Sequence, residues 1–99
     1  MTRRYHREAR KELHEAVLWY EDQRTGLGLE FWRAVRETLA RIAENPRRFP
    51  LVYQDFRQAL VPRFPYLVLF VSKKDRLEIF AIFHTSRSPE IWRSRAPLE

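Results

Sequence analysis

The side chains best equipped for chemistry stand where the last apolar run of this chain stops. Leu77 to Phe83 is almost wholly apolar, and the sequence then turns abruptly to His84, Thr85, Ser86, Arg87, Ser88 and Pro89. An imidazole titrates near neutral pH and can take or give a proton; a guanidinium holds negative charge through a rigid fork of donors. Cleaving RNA through its 2′-hydroxyl needs a base for that proton, cations for the charge developing on phosphate, and an acid at the leaving oxygen. His84 offers the base or acid, Arg87, Arg57 and Arg63 offer the cations, and Tyr66 offers a donor or a stacking face. Such chemistry calls for no metal and no cofactor. Glu78, the one acid on the two strand-like runs, lies six residues before His84, about 20 Å along an extended chain. No carboxylate is therefore placed to support the imidazole, and the same junction suits a docking patch as well as a catalytic one.

Those groups have to be positioned by elements that the hydrophobic pattern predicts. From about Arg7 to Gln23, Ala9, Leu13, Ala16, Val17 and Tyr20 recur on one stripe of a helix. Arg24, Thr25, Gly26, Leu27 and Gly28 hold both glycines of the chain, which concentrates the freedom needed for a tight reversal there. A second helix follows from about Leu27 to Glu44, with Leu27, Phe31, Val35, Leu39 and Ile42 on one face. Asn45, tolerant of a left-handed conformation, and Pro46 are expected to end it. So short a connection makes the two helices antiparallel. Phe49 to Tyr53 reads as an irregular apolar loop, and Phe56 to Val61 as an edge strand or turn, since Pro62 and Pro65 remove two ladder donors. Tyr66 to Ser72 and Arg76 to His84 then form a hairpin across Lys73, Lys74 and Asp75. Arg3 to His6 is expected to add a short strand at the other side, and Trp92, Arg93 and Arg95 a short C-terminal helix or a mobile arm. The predicted fold is α+β, one domain over residues 1–99, with a helix pair on a three-stranded meander.

Both hairpin strands are apolar at nearly every position, whereas an antiparallel sheet with one wet face alternates apolar and polar residues. Pairing Ser72 with Leu77 places Leu67, Leu69 and Val71 beside Phe80, Ile82 and His84 on one face. Two helices can cover only one face. The other set, Leu67, Leu69, Val71, Phe80 and Ile82, must be met by the Phe49 to Tyr53 loop, by the segment around Trp92, or by another chain.

Composition narrows the classes. With 19 Lys and Arg against 13 Asp and Glu, the formal charge is +6, shared between both halves of the chain. Lys occurs only at Lys11, Lys73 and Lys74, so arginine carries most of that charge. Such a balance speeds encounter with polyanions or acidic proteins and says nothing of fold. The absence of Cys excludes disulfides, thiolate metal sites and a cysteine nucleophile. His6 and His14 have no matching ligand set, so no metal centre is expected. No apolar stretch follows the N-terminus, so neither a secretory signal nor a membrane span is expected, and the chain reads as cytoplasmic. The alternating charges of both helices, Glu8 with Lys11 and Glu12, or Arg33 with Glu37, read as solvated faces.

Glu15, Ala16, Trp19, Tyr20 and Glu21 closing the first helix, then Gly26, Leu27, Gly28 and Phe31 opening the second, form one part of a longer pattern. Asn45, Pro46, Phe49, Pro50, Arg57, Phe64, Pro65 and Tyr66 follow, and His84 with Arg87 complete it. This order resembles the RelE/ParE toxin superfamily of type II toxin–antitoxin pairs over nearly the whole chain. The resemblance implies a helix hairpin on a small antiparallel sheet and a cognate antitoxin that wraps the toxin with a helix and an added strand. It also implies a choice of target. One branch cleaves mRNA on the ribosome with a cluster of basic residues; the ParE-like branch poisons DNA gyrase and lacks most of that cluster. Here Tyr66 stands where the nucleases often carry arginine, and apolar positions near Leu60 and Pro62 stand where they carry a basic pair. The likeness is therefore closer to the ParE-like side, with plasmid stabilisation and growth arrest as the implied biology. The alternatives are a ribosome-dependent endoribonuclease using His84, Arg87, Arg57, Arg63 and Tyr66, and a small basic nucleic-acid-binding module. Association as a homodimer, or as a heterotetramer with antitoxin, is compatible with either toxin reading.

Overall fold

The computed structural model describes residues 2–96. In chain order the elements are β1 (Thr2–Tyr5), α1 (Arg7–Gln23), α2 (Leu27–Glu44), a 3-10 turn (Pro46–Arg48), β2 (Leu51–Tyr53), β3 (Phe56–Leu60), β4 (Tyr66–Ser72), β5 (Arg76–His84) and α3 (Glu90–Arg93). The strands form one sheet in the order β1-β5-β4-β3-β2, antiparallel throughout except that β1 runs parallel to β5. A helix pair on a mainly antiparallel sheet is the α+β arrangement that the sequence predicts.

The helix hairpin is held by its two glycines and one carboxylate. Gly26 adopts φ +92°, a left-handed conformation that costs a side-chain-bearing residue about 1 kcal/mol or more. Gly28 of α2 packs directly on α1, and a Cβ there would stand 2.7 Å from the Val17 carbonyl oxygen. Glu21, in the last turn of α1, accepts hydrogen bonds from the backbone N–H groups of Gly26 and Gly28 at 3.0 to 3.1 Å. These donors open α2 and have no partner within the helix. At its other end α2 stops because Pro46 starts the 3-10 turn; Asn45 has an extended φ of −158°, not the left-handed conformation expected.

Phe31, Val35, Leu39 and Ile42 of α2 pack with Ala9 and Ala16 of α1 against Val68, Phe70, Leu77, Ile79 and Ile82 of the sheet. This is the helix-side core. Burying a Phe, Leu or Ile side chain there contributes about 1.5–3 kcal/mol each before chain entropy is counted.

Three expectations about the sheet are corrected. Residues Leu51–Tyr53, read as irregular loop, form the edge strand β2, which turns onto β3 through Gln54 at φ +49°; the meander has four strands, and β3, read as an edge strand or turn, is paired on both sides. The hairpin register begins as predicted, Ser72 opposite Leu77, and continues through Phe70 opposite Ile79. Phe80 then has no partner, and pairing resumes with Leu69 opposite Ala81 and Tyr66 opposite His84. This bulge sets two residues against one and exchanges the faces of everything after it. Ile82 consequently joins Val68 on the helix side, while Ala81 and Phe83 fall on the other side with Leu69 and Val71. An apolar run without alternation carries no trace of such a switch.

Of the three covers open to the second face, the Phe49 to Tyr53 loop, the segment around Trp92 and another chain, the molecule itself supplies the first two. Trp92 of α3 lies on that face, with ring centroids 5.4 Å from Phe56, and Phe56 in turn meets Phe80 at 4.8 Å. Val52 and Tyr53 of β2 close the rim. Leu69, Val71, Phe80 and Ile82 are all buried, and of the five residues proposed for an antitoxin only Leu67 keeps partial exposure.

Candidate functional site

His84 ends β5 directly opposite Tyr66, the first residue of β4, with ring centroids 5.2 Å apart at 77°. Its Nδ1 accepts hydrogen bonds from the Ser86 backbone N–H at 3.0 Å and pairs with Ser86 Oγ at 2.8 Å. With Nδ1 as acceptor, the proton of the neutral ring is on Nε2. A shallow cleft of about 210 Å³ opens here, lined by Trp19, Tyr66, Ile82, His84, Arg87 and residues of α1. Burial pushes the Tyr66 hydroxyl above its ordinary value, with the neighbouring Tyr20 and Glu12 adding to this and Arg87 opposing it. At neutral pH Tyr66 is thus a protonated donor and not a base.

Arg87 comes to the same place, but its charge is already engaged. Its Nη1 donates to Glu12 Oε2 at 3.1 Å, and its guanidinium lies 4.4 Å from the centroid of the Phe83 ring. Glu12 also takes a two-pronged contact from Arg95, at 3.0 and 2.8 Å, and accepts the Ile82 backbone N–H at 3.1 Å. Arg95 Nη1 reaches on to the Phe80 carbonyl oxygen at 3.0 Å. Along the edge of β5 beyond the end of β1, a carboxylate and a guanidinium therefore take up backbone groups that a neighbouring strand would otherwise occupy. Glu12 and Arg95 are the members of this site that sequence reading missed; Glu12 was counted among solvated charges. Their only signal is an acid and an arginine that become neighbours across 83 positions.

The other predicted cations do not join. Arg57 pairs in register with Phe70, four positions along β4 from Tyr66, roughly 13 Å away at ~3.3 Å per residue. Its Nη1 donates to the Phe49 carbonyl at 2.7 Å and to the Arg47 carbonyl at 3.4 Å. Arg63 is exposed in the turn before β4 at φ +68°, with no ion-pair partner among the described residues. Glu78 turns away from His84 to Arg76 at 2.9 Å and His6 at 3.4 Å. No cluster of three potential metal ligands occurs among the described residues.

What gathers at the end of β5 is a histidine, a protonated tyrosine and an arginine that shares one mostly covered carboxylate, Glu12, with Arg95. Beside it α1 exposes Leu18 and Trp19, and the solvent side of the helix hairpin carries an apolar groove that includes Leu13, Val17, Leu29 and Trp32.

A helix hairpin on this sheet is the fold of a solved toxin–antitoxin component. The chain superposes on one from the chromosomal ParDE TA system of P. aeruginosa with a TM-score of 0.75, at 17% identity, covering 87% of this chain and 97% of that one. Among curated proteins none matches the sequence. Residues 3–89 match the family described as ParE toxin of type II toxin-antitoxin system, parDE, and the chain belongs to that family.

Proposed function

We infer that this chain arrests growth by binding DNA gyrase, without chemistry of its own, and that a cognate antitoxin neutralises it. The observation that carries the non-catalytic part is the dispersal of the predicted nuclease set: Arg87 is bound to Glu12, and Arg57 is bound to carbonyls at the other end of β4. Membership of the ParE toxin family supports the rest. Acting in the cytoplasm as a single toxin domain, such a protein would serve plasmid stabilisation when its operon is plasmid-borne.

With Leu69, Val71, Phe80 and Ile82 buried, antitoxin and target are best met by the surface of the helix hairpin, where Leu18, Trp19 and Leu29 are about half exposed. Hot spots of binding energy favour Trp in such positions. The direct test is a supercoiling assay with purified gyrase, relaxed plasmid and ATP. Wild-type chain and His84→Ala are expected to inhibit alike, and Trp19→Ala to inhibit at least tenfold less. Undisturbed supercoiling at saturating wild-type chain would refute the target.

A further inference from the structure

Away from His84, at the opposite ends of β4 and β5, the molecule has a second recess of about 790 Å³. Arg47 of the 3-10 turn, Arg57 of β3, and Lys73 and Lys74 of the β4–β5 turn line it, together with the carboxylates Glu44 and Asp55. Among the described residues, none of the four cations lies within ion-pair distance of a carboxylate, so the two acids do not neutralise them. The Arg57 guanidinium is pre-positioned: Nη1 is held by the Phe49 and Arg47 carbonyls, while Nε and Nη2 donate to no protein atom among the described residues. The turn that presents both lysines is closed by the Lys73 N–H donating to the Arg76 carbonyl at 2.8 Å.

We propose that this recess binds the phosphodiester backbone of a nucleic acid. A free phosphate would meet one or two cations and the repulsion of Glu44 and Asp55 as well. A backbone running from Arg47 to Lys74 engages all four cations with successive phosphates and releases its counterions. An acidic peptide is less suited, because Leu51 is the one substantially exposed apolar side chain of the recess, and specific peptide binding rests on buried apolar or aromatic anchors. The site is independent of the gyrase reading, since none of Leu18, Trp19 and Leu29 lines it.

The test is fluorescence anisotropy of the full chain with a labelled duplex DNA, a single-stranded RNA and a glutamate-rich peptide. Four phosphate contacts predict a loss of affinity of roughly 100-fold between about 50 and 200 mM salt. Lys73→Gln with Lys74→Gln is expected to cut that loss to roughly tenfold, by removing about two contacts. Arg3→Gln with Arg4→Gln, an equal loss of charge on exposed β1, is the control and should leave the slope unchanged. Preference for duplex or for RNA identifies which backbone is taken, and either supports the site. Equal weakening by both pairs, binding of the peptide alone, or no binding at low salt overturns it.

Discussion

Glu12 accepts four hydrogen bonds on two oxygens, from Ile82, Arg87 and both terminal nitrogens of Arg95. Its side chain and that of Arg95 are largely buried, at 10% and 16% exposure, so the pair is little screened by water. Removing the carboxylate leaves two guanidinium groups and a strand N–H without their partner, and breaking such a buried pair costs about 3 kcal/mol. Glu12→Ala is therefore expected to lower the urea midpoint sharply, while Glu8→Ala, on an exposed turn of the same helix, changes it little. A second carboxylate works through pH. Burial raises the Glu78 carboxyl, but hydrogen bonds from Arg76 and His6, aided by their charges, outweigh it and hold the group below its ordinary 4.5. A depressed folded value means stability that is present above about pH 4.5 and is lost as pH falls through that lower value. Urea unfolding of Glu78→Gln between about pH 6 and pH 3 should show a shallower acid loss than wild type. Residue types at the His84 junction were readable in the sequence; the partners were not, because Glu12 and Arg95 meet only through the fold.

At the level of elements, the helix pair was legible because a 3.6-residue period, two clustered glycines and Asn-Pro leave few alternatives. Gly28 was the less obvious part, since its role lies in the approach of α2 to the Val17 carbonyl. Gly28→Ala forces backbone apart and is expected to cost about 1–3 kcal/mol, a loss read by thermal unfolding. The sheet was less legible. Strands apolar on both faces have no alternation to reveal a bulge, so the switch at Phe80 and the destination of Ile82 had to come from the structure. Short segments were harder still: β2 has three residues and α3 four, too few for a period to register. Yet α3 carries the cover of the second face. Trp92→Ala is expected to cost about 3–5 kcal/mol and to raise binding of an apolar dye, as Phe56, Leu69 and Phe80 lose their lid. An unchanged unfolding midpoint would mean that the lid is dispensable.

As a whole, the molecule extends 42 Å along its longest axis, and two polar clusters lie at opposite ends of β4 and β5. One end holds His84, Tyr66 and the Glu12 lock; the other holds the unneutralised cations of the Arg57 recess. Among the described residues no helix is long and apolar enough to cross a membrane. A positive balance with an arginine majority was plain from composition, but its division between a locked and an open cluster depends on which side chains find carboxylates. The proposed function turns on the His84 end being non-catalytic, with the target held by the helix hairpin. It is tested most directly by the plasmid topoisomer distribution after brief expression of wild-type chain and of His84→Ala, with mRNA ends mapped from the same cultures. The same shift toward relaxed plasmid is expected in both, with no codon-phased breaks. Unchanged topoisomers, together with prompt codon-phased breaks that vanish in His84→Ala, would contradict it.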